Sequence, residues 1–568
     1  MKFTILVLPA NWPLGAEMDI GAQGEFTQGA SPRSDKRPDM SWRDHLVMLL
    51  SFGAAAEHCL MVQYLYAAYS MRTEGQSLER VKMIEGWRSN ILAVAREEMG
   101  HLLTVQNLLL LLGAPTAFGR DNSEWASQYY PYPFSLEPLS LDTLACFVYA
   151  EMPEIKVPFD KSVDKDLAGL ITDVRKRMAT NFRAGTLDID VHRVGALYQQ
   201  IIDLISDENR IPDSAFDEAS YEFQASWDEW GRGYKPAPYA LRADGTRIPE
   251  DDDEIAALEI KDSVASSFIV RLDWDPSEPA AETFVRVDRM ATRADAVKAL
   301  HALANQGEAP HLSQKAHLKS SDELSHFDRF LKVYQHFSLE KAKTPGWSPA
   351  ADVSSNPTTR QLRADVEADQ EFAQITAVVA KRLAQLFNQR YRLLLNYLAH
   401  SFRLTRTQRG DRPNLRAMLM HRVFGEMYNL KTLAGLLVRT PRAAEGGAGG
   451  SETYEGARKW AGPPFEMPYS LTLPDSDVDA WRLHRDLITT SQQTARKLLN
   501  EASKPEGELS RGKVEAPEPR ADWQKVRADL DSVGAEPFLR ALMDLDEQAK
   551  TWIGAIVTAG GSRGAAQE

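Results

Sequence analysis

AREEMGHLLTVQNLLLLLG, residues 95–113, has the apolar density of a buried helix, yet carries two acids and a histidine, Glu97, Glu98 and His101, just ahead of a run of five leucines. A charge taken out of water is costly unless it is paired or bound to a metal. This helix therefore requires partners from elsewhere in the chain. Glu98 and His101 stand three apart, so on a helix they leave one face about 60° apart. Glu97 is expected to face outward or to support a neighbouring ligand.

A Glu-x-x-His unit on each of two helices, with one Glu from each of two others, is the donor set of a dinuclear metal site inside a four-helix bundle. With this composition about one Glu-x-x-His is expected by chance. The chain has three, ending at His101, His311 and His326. Pro310 removes the second from consideration, because it breaks any helical turn between Glu308 and His311. The third lies in SSDELSHFDRFLKVYQ, where Glu323 and His326 repeat the helical spacing of Glu98 and His101. Glu57 is the candidate single carboxylate on the preceding helix, with Gly53, Ala54, Ala55 and Ala56 leaving room beside it for an ion or a close helix. Before Glu323 there are two candidates for the other single carboxylate, Glu151 and Glu308. Any of these acids alone reads as solvated or salt-bridged; the order Glu, Glu-x-x-His, Glu, Glu-x-x-His is what favours a metal pair. Tyr64, two turns from Glu57, reads as core packing rather than a redox relay.

Helical periodicity dominates the rest of the chain. Residues 43–72 and 78–112 form two long amphipathic segments whose short connection predicts an antiparallel hairpin. Shorter helical runs follow at 140–152 and 189–206. Residues 207–260 read as irregular, and SSFIVRLDW with ETFVRVD as a small β-ribbon. Further helices are expected at 293–306, after the capping sequence TRAD, at 320–338, 360–402, 413–439, 476–501 and 534–557, with loops at EGGAGGSETYEG and 503–520. The domain reading is an N-terminal extension over 1–42, a dimetal bundle over 43–340 with an insert at about 153–290, and a helical region over 358–568 packed on the bundle.

The chain of 568 residues has a formal charge of −14, which disfavours a nucleic-acid backbone or an anionic membrane as partner and leaves a small molecule as the expected substrate. Two cysteines, Cys59 and Cys146, exclude a disulfide scaffold and fit a cytoplasmic protein. MKFTILVLPA lacks a convincing cleavage site downstream, and with no run of 18 apolar residues no membrane span is expected.

Eight segments carry a family resemblance: EHCLMVQYLYAAYSM, EEMGHLLTVQNLLLLLGAP, YYPYPFSLEPLS, FVYAEMPE, VGALYQQI, ANQGEA, ELSHFDRFLKVYQ and AGPPFEMP. In this order, over about 43–470, they resemble the ferritin-like domain of the iminophenyl-pyruvate dimer synthases, which occurs in chromopyrrolic acid synthases. The resemblance implies a ferritin-like fold, a dinuclear iron-type centre and oxidative chemistry on amino-acid-derived imines.

The combined expectation is a mostly α protein: a ferritin-like four-helix bundle with a small β-ribbon insert and an additional C-terminal helical region. Glu57, Glu98, His101, Glu151, Glu323 and His326 are the expected ligands of two metal ions, iron with manganese as the alternative. A crossover of about 27 residues before helix 140–152 matches the long return of such bundles and favours Glu151 as the third-helix ligand. Glu308 is then a fifth carboxylate or a residue over the substrate. The expected activity is oxidation with O2 or peroxide, extending to coupling of imine units derived from aromatic amino acids. A homo-oligomer or an upstream amino-acid oxidase is the further partner to look for. The rivals are iron oxidation and storage, and a non-catalytic helical scaffold.

Overall fold

The computed structural model describes residues 40–120, 134–153, 165–183, 194–230, 240–247, 285–307, 325–363, 372–405, 414–443, 460–467, 472–503 and 522–564. Helix α1 (Trp42–Ser70) starts at Ser41, whose side chain accepts from the Asp44 amide. Ser77 caps α2 (Leu78–Leu111) in the same way. The two form the expected antiparallel hairpin: Arg43, at the start of α1, donates through Nε to the carbonyl of Leu112, at the end of α2, over 3.0 Å. Leu108, Leu109, Leu111 and Leu112 are at most 1 % exposed, which is why the leucine run exists; each such burial stabilises by roughly 1.5–3 kcal/mol. α1 is long and apolar enough, by length and composition, to cross a membrane, and its apolar residues here build the bundle core.

α3 (Leu141–Ala150) packs on α4 (Lys165–Arg183), and α5 (Val194–Ser206) crosses α1. After the single turn α6 (Trp227–Trp230), α7 (Arg293–Gly307) lies on α5 and touches α2. α8 (His326–Lys343) packs on α3 and α2. Gly100 permits another close approach: a Cβ there would lie 2.4 Å from the Arg286 carbonyl oxygen, so the segment before α7 crosses α2 directly beside Glu98 and His101.

The second half is again helical, with α9 (Val378–Ser401) between α10 (Leu415–Leu437) and α11 (Asp477–Glu501), then α12 (Trp523–Val533) and α13 (Glu536–Gly564). α10 touches α1. The His58 ring joins the halves, with Nδ1 3.0 Å from the Phe118 carbonyl and Nε2 paired to the Tyr391 hydroxyl.

Several boundaries differ from expectation. The helix expected over 320–338 begins only at His326, because Ser325 is extended (φ −67°, ψ 166°) and forms a capping box with Asp328. Glu323 and Glu308 lie outside the described residues. The helix expected from 360 begins at Val378, since the preceding backbone bonds elsewhere: Ala373–Gln374 (β2) pairs in parallel with Pro357–Thr358 (β1), and Thr376 and Ala377 donate to the Arg442 carbonyl. The β-ribbon falls outside the described residues up to 284, and 285–288 form no strand. α4 and α12, unforeseen from periodicity, occupy the insert and a stretch between the last two expected helices.

Candidate metal centre

Five of the six expected ligands converge. Glu57 comes from α1, Glu98 and His101 from α2, Glu151 from the C-cap of α3 and His326 from the first turn of α8. All are at most 3 % exposed.

Glu98 stands between the two histidines. Its Oε2 is 3.0 Å from His101 Nδ1 and its Oε1 2.8 Å from His326 Nδ1. Glu57 Oε2 flanks His101 Nδ1 at 3.6 Å, and Glu151 Oε2 flanks His326 Nδ1 at 3.7 Å. The rings of His101 and His326 stack with centroids 5.3 Å apart. One ligand atom from each of Glu98, His101 and His326 falls within 4.8 Å of the others. The cluster thus divides into Glu57, His101 and one oxygen of Glu98, against Glu151, His326 and the other.

Burial pushes the Glu57 carboxyl up to about 7, assisted by the neighbouring Glu98. Burial alone would discharge His101, but Glu98 and Glu57 outweigh it and lift the ring to about 10. His326 moves up against its own burial for the same reason, chiefly through Glu98. Without an external cation both imidazoles are therefore favoured in their protonated form, facing the carboxylates.

The donors fit a bound metal pair. Glu98 Oε1 and His326 Nδ1 are buried and have no aligned hydrogen-bond partner, although they lie 2.8 Å apart. A carboxylate oxygen and an imidazole nitrogen this close and this buried are two ligand atoms that a bound cation would share in place of a proton. Carboxylate oxygens with one imidazole nitrogen on each side suit iron or manganese.

The surrounding residues were less legible. Of the two expectations for Glu97 the second holds: it does not face outward but is fully buried, accepts from Arg329 Nη1 at 2.7 Å and lies 2.8 Å from Nε2 of the expected ligand His326. Arg329 and His326 overcome the effect of burial and hold this carboxyl near 2. Tyr64 packs edge-on against Phe147, as expected of a core residue, but its hydroxyl also donates to Glu151 Oε1 at 2.6 Å. Tyr198 of α5 donates to Glu57 Oε1. Gly53, one turn before Glu57, lies under that tyrosine, where a Cβ would make an ordinary contact of 3.5 Å with its hydroxyl. The small residues before Glu57 thus admit a helix. Gln306 of α7 places Oε1 3.1 Å from His101 Nε2. Tyr198 and Gln306 lie inside VGALYQQI and ANQGEA, but no helical spacing relates them to their partners.

The ferritin-like family model matches residues 50–230, which contain Glu57, Glu98, His101 and Glu151. The chain is 26 % identical over 478 residues to dichlorochromopyrrolate synthase of Lentzea aerocolonigenes, covering 77 % of this chain and 37 % of that protein. It is 36 % identical over 129 residues to 2-imino-3-(indol-3-yl)propanoate dimerase of Chromobacterium violaceum, covering 19 % of this chain and 13 % of that protein. The matched region thus spans well under half of either relative. No solved structure matches the chain.

Proposed function

For a chain whose residues 50–230 are a ferritin-like domain, we propose an oxidoreductase with two metal ions, iron in the first instance, that oxidatively couples imines derived from aromatic amino acids. The observation that carries this reading is the buried Glu98 carboxylate between His101 and His326, with one oxygen 3.0 Å and the other 2.8 Å from the two Nδ1 atoms. Glu57 and Glu151 join them as ligands, and Glu323 is proposed to complete the set. The substrate class is drawn from the relatives, one of which is named as a dimerase of an indolyl imine.

Bound iron would supply two-electron oxidation with O2 or peroxide. Joining two imine or enamine units through a new carbon–carbon bond releases two protons and two electrons, which the same oxidant accepts. The protein's part is preparation. Glu97, held anionic by Arg329, keeps the proton of His326 on Nε2 and leaves Nδ1 toward the ligand cluster. Tyr64 and Tyr198 fix one oxygen of Glu151 and of Glu57 respectively, so the other oxygen of each faces the histidines. Phe147, Phe330 and Ile201, all at most 1 % exposed, help to exclude water.

Anaerobic reconstitution with Fe(II) should load about two ions per chain, one for each histidine-centred half of the ligand set. Less than about half an ion would overturn the dimetal reading. Glu151→Ala should lower metal content, whereas Glu308→Ala should keep both ions and alter turnover; the opposite pattern would exchange their roles. Loaded protein supplied with arylpyruvate imines from an amino-acid oxidase should yield coupled dimers by mass spectrometry. Uncoupled keto acid alone, across several aromatic substrates, would count against the coupling reaction and leave the metal centre standing.

A further inference from the structure

Each proposed terminal carboxylate is steadied by one tyrosine, Glu57 by Tyr198 and Glu151 by Tyr64. The two histidines are held differently. His326 Nε2 meets the carboxylate of Glu97, itself anchored by Arg329. His101 Nε2 meets the amide oxygen of Gln306. A carboxylate ion-paired to a guanidinium at 2.7 Å only accepts, so Glu97 requires the proton on Nε2 and a lone pair on Nδ1. An amide turned end for end donates instead, and then the lone pair moves to the nitrogen facing away from the ligand cluster. Glu97 also raises the basicity of its imidazole more than a neutral amide does.

We propose that the two metal positions are unequal by construction: the His326 position is the tighter and fills first, and Glu97 against Gln306 is the pair of positioning residues that separates them. This rests on the dimetal reading above. The consequence for function is an ordered loading, with the His101 position the one whose ion exchanges. Because Glu98 contributes an oxygen to each side, occupation of the first position also fixes that carboxylate for the second.

The test is calorimetric titration of metal-free protein with Fe(II) in the absence of O2, independent of turnover. Wild type should show two classes of site. Glu97→Gln should weaken the tighter class by about 10–100-fold and leave the weaker nearly unchanged. Gln306→Glu should strengthen the weaker class and narrow the gap, which keeps the proposal open to refutation if loss of the Glu97–Arg329 pair impairs folding. His326→Ala should remove the tighter class and His101→Ala the weaker. Two equal sites in wild type, or a Glu97→Gln effect on the weaker class alone, would overturn the inequality while leaving the metal pair intact. Failure of wild type to bind Fe(II) would overturn both.

Discussion

Two buried polar clusters occupy the two helical halves, and they balance charge in opposite ways. In the first, Glu57, Glu98 and Glu151 surround two histidines, and Arg329 is turned to Glu97. In the second, Arg390 of α9 sits among the carboxylates: it donates through Nε to Glu426 of α10 at 2.7 Å, through Nη1 to Asp546 of α13 at 2.6 Å, and to Ser491 of α11 at 3.3 Å. One cluster therefore carries a permanent cation at its centre, and the other carries imidazoles. A guanidinium keeps its proton throughout the physiological range, so the second cluster is a fixed structural joint. Imidazoles release theirs, so the first is exchangeable.

The largest effect that could break this comparison belongs to Glu98. Because it serves both halves of the first cluster, Glu98→Ala should reduce metal content from about two ions to below half an ion per chain, measured by elemental analysis after Fe(II) reconstitution. Retention of both ions would deny it a shared role. In the second cluster, Arg390→Met should leave metal content unchanged but cost about 3–5 kcal/mol in urea unfolding, because two buried carboxylates lose their partner. That loss should shrink toward about pH 5: burial already pushes Asp546 up to about 6, and protonation removes the stranded charge. A cost independent of pH would argue that lost packing, not charge, is what Arg390 provides.

Metal-free protein sharpens the contrast further. Both His101, up at about 10, and Glu57, up at about 7, bind protons more tightly folded than unfolded. The stabilisation from His101 is full below its ordinary 6.5 and declines as pH rises toward about 10; that from Glu57 declines between 4.5 and about 7. Thermal unfolding of metal-free protein should therefore occur at lower temperature at about pH 9 than at about pH 7, whereas metal-loaded protein should change less, its imidazoles already deprotonated. Equal shifts with and without metal would place the sensitivity elsewhere. The smallest effect concerns Ser325, whose side chain caps α8 immediately before His326. Ser325→Ala should cost about 1 kcal/mol in unfolding experiments, with both ions retained.

How far the sequence reaches depends on the distance over which each interaction acts. The α1–α2 hairpin was legible because a short connection and a helical repeat are local properties, and the Glu98–His101 pair because a three-residue spacing fixes a shared face. The same reasoning overextended at the boundary of the helix expected over 320–338, which the Ser325–Asp328 capping box starts only at His326. Composition and periodicity by themselves determined a mostly helical chain with acids and histidines set into apolar helices. Only the tertiary structure decided which partners those groups meet. Glu97 became buried because α8 lays His326 and Arg329 against it from 229 and 232 residues away. Tyr198 reaches Glu57 across 141 residues, and Asp546 reaches Arg390 across 156. Such pairs leave no periodic trace along the chain, since a hydrogen bond depends on where two helices cross and not on how many residues lie between them.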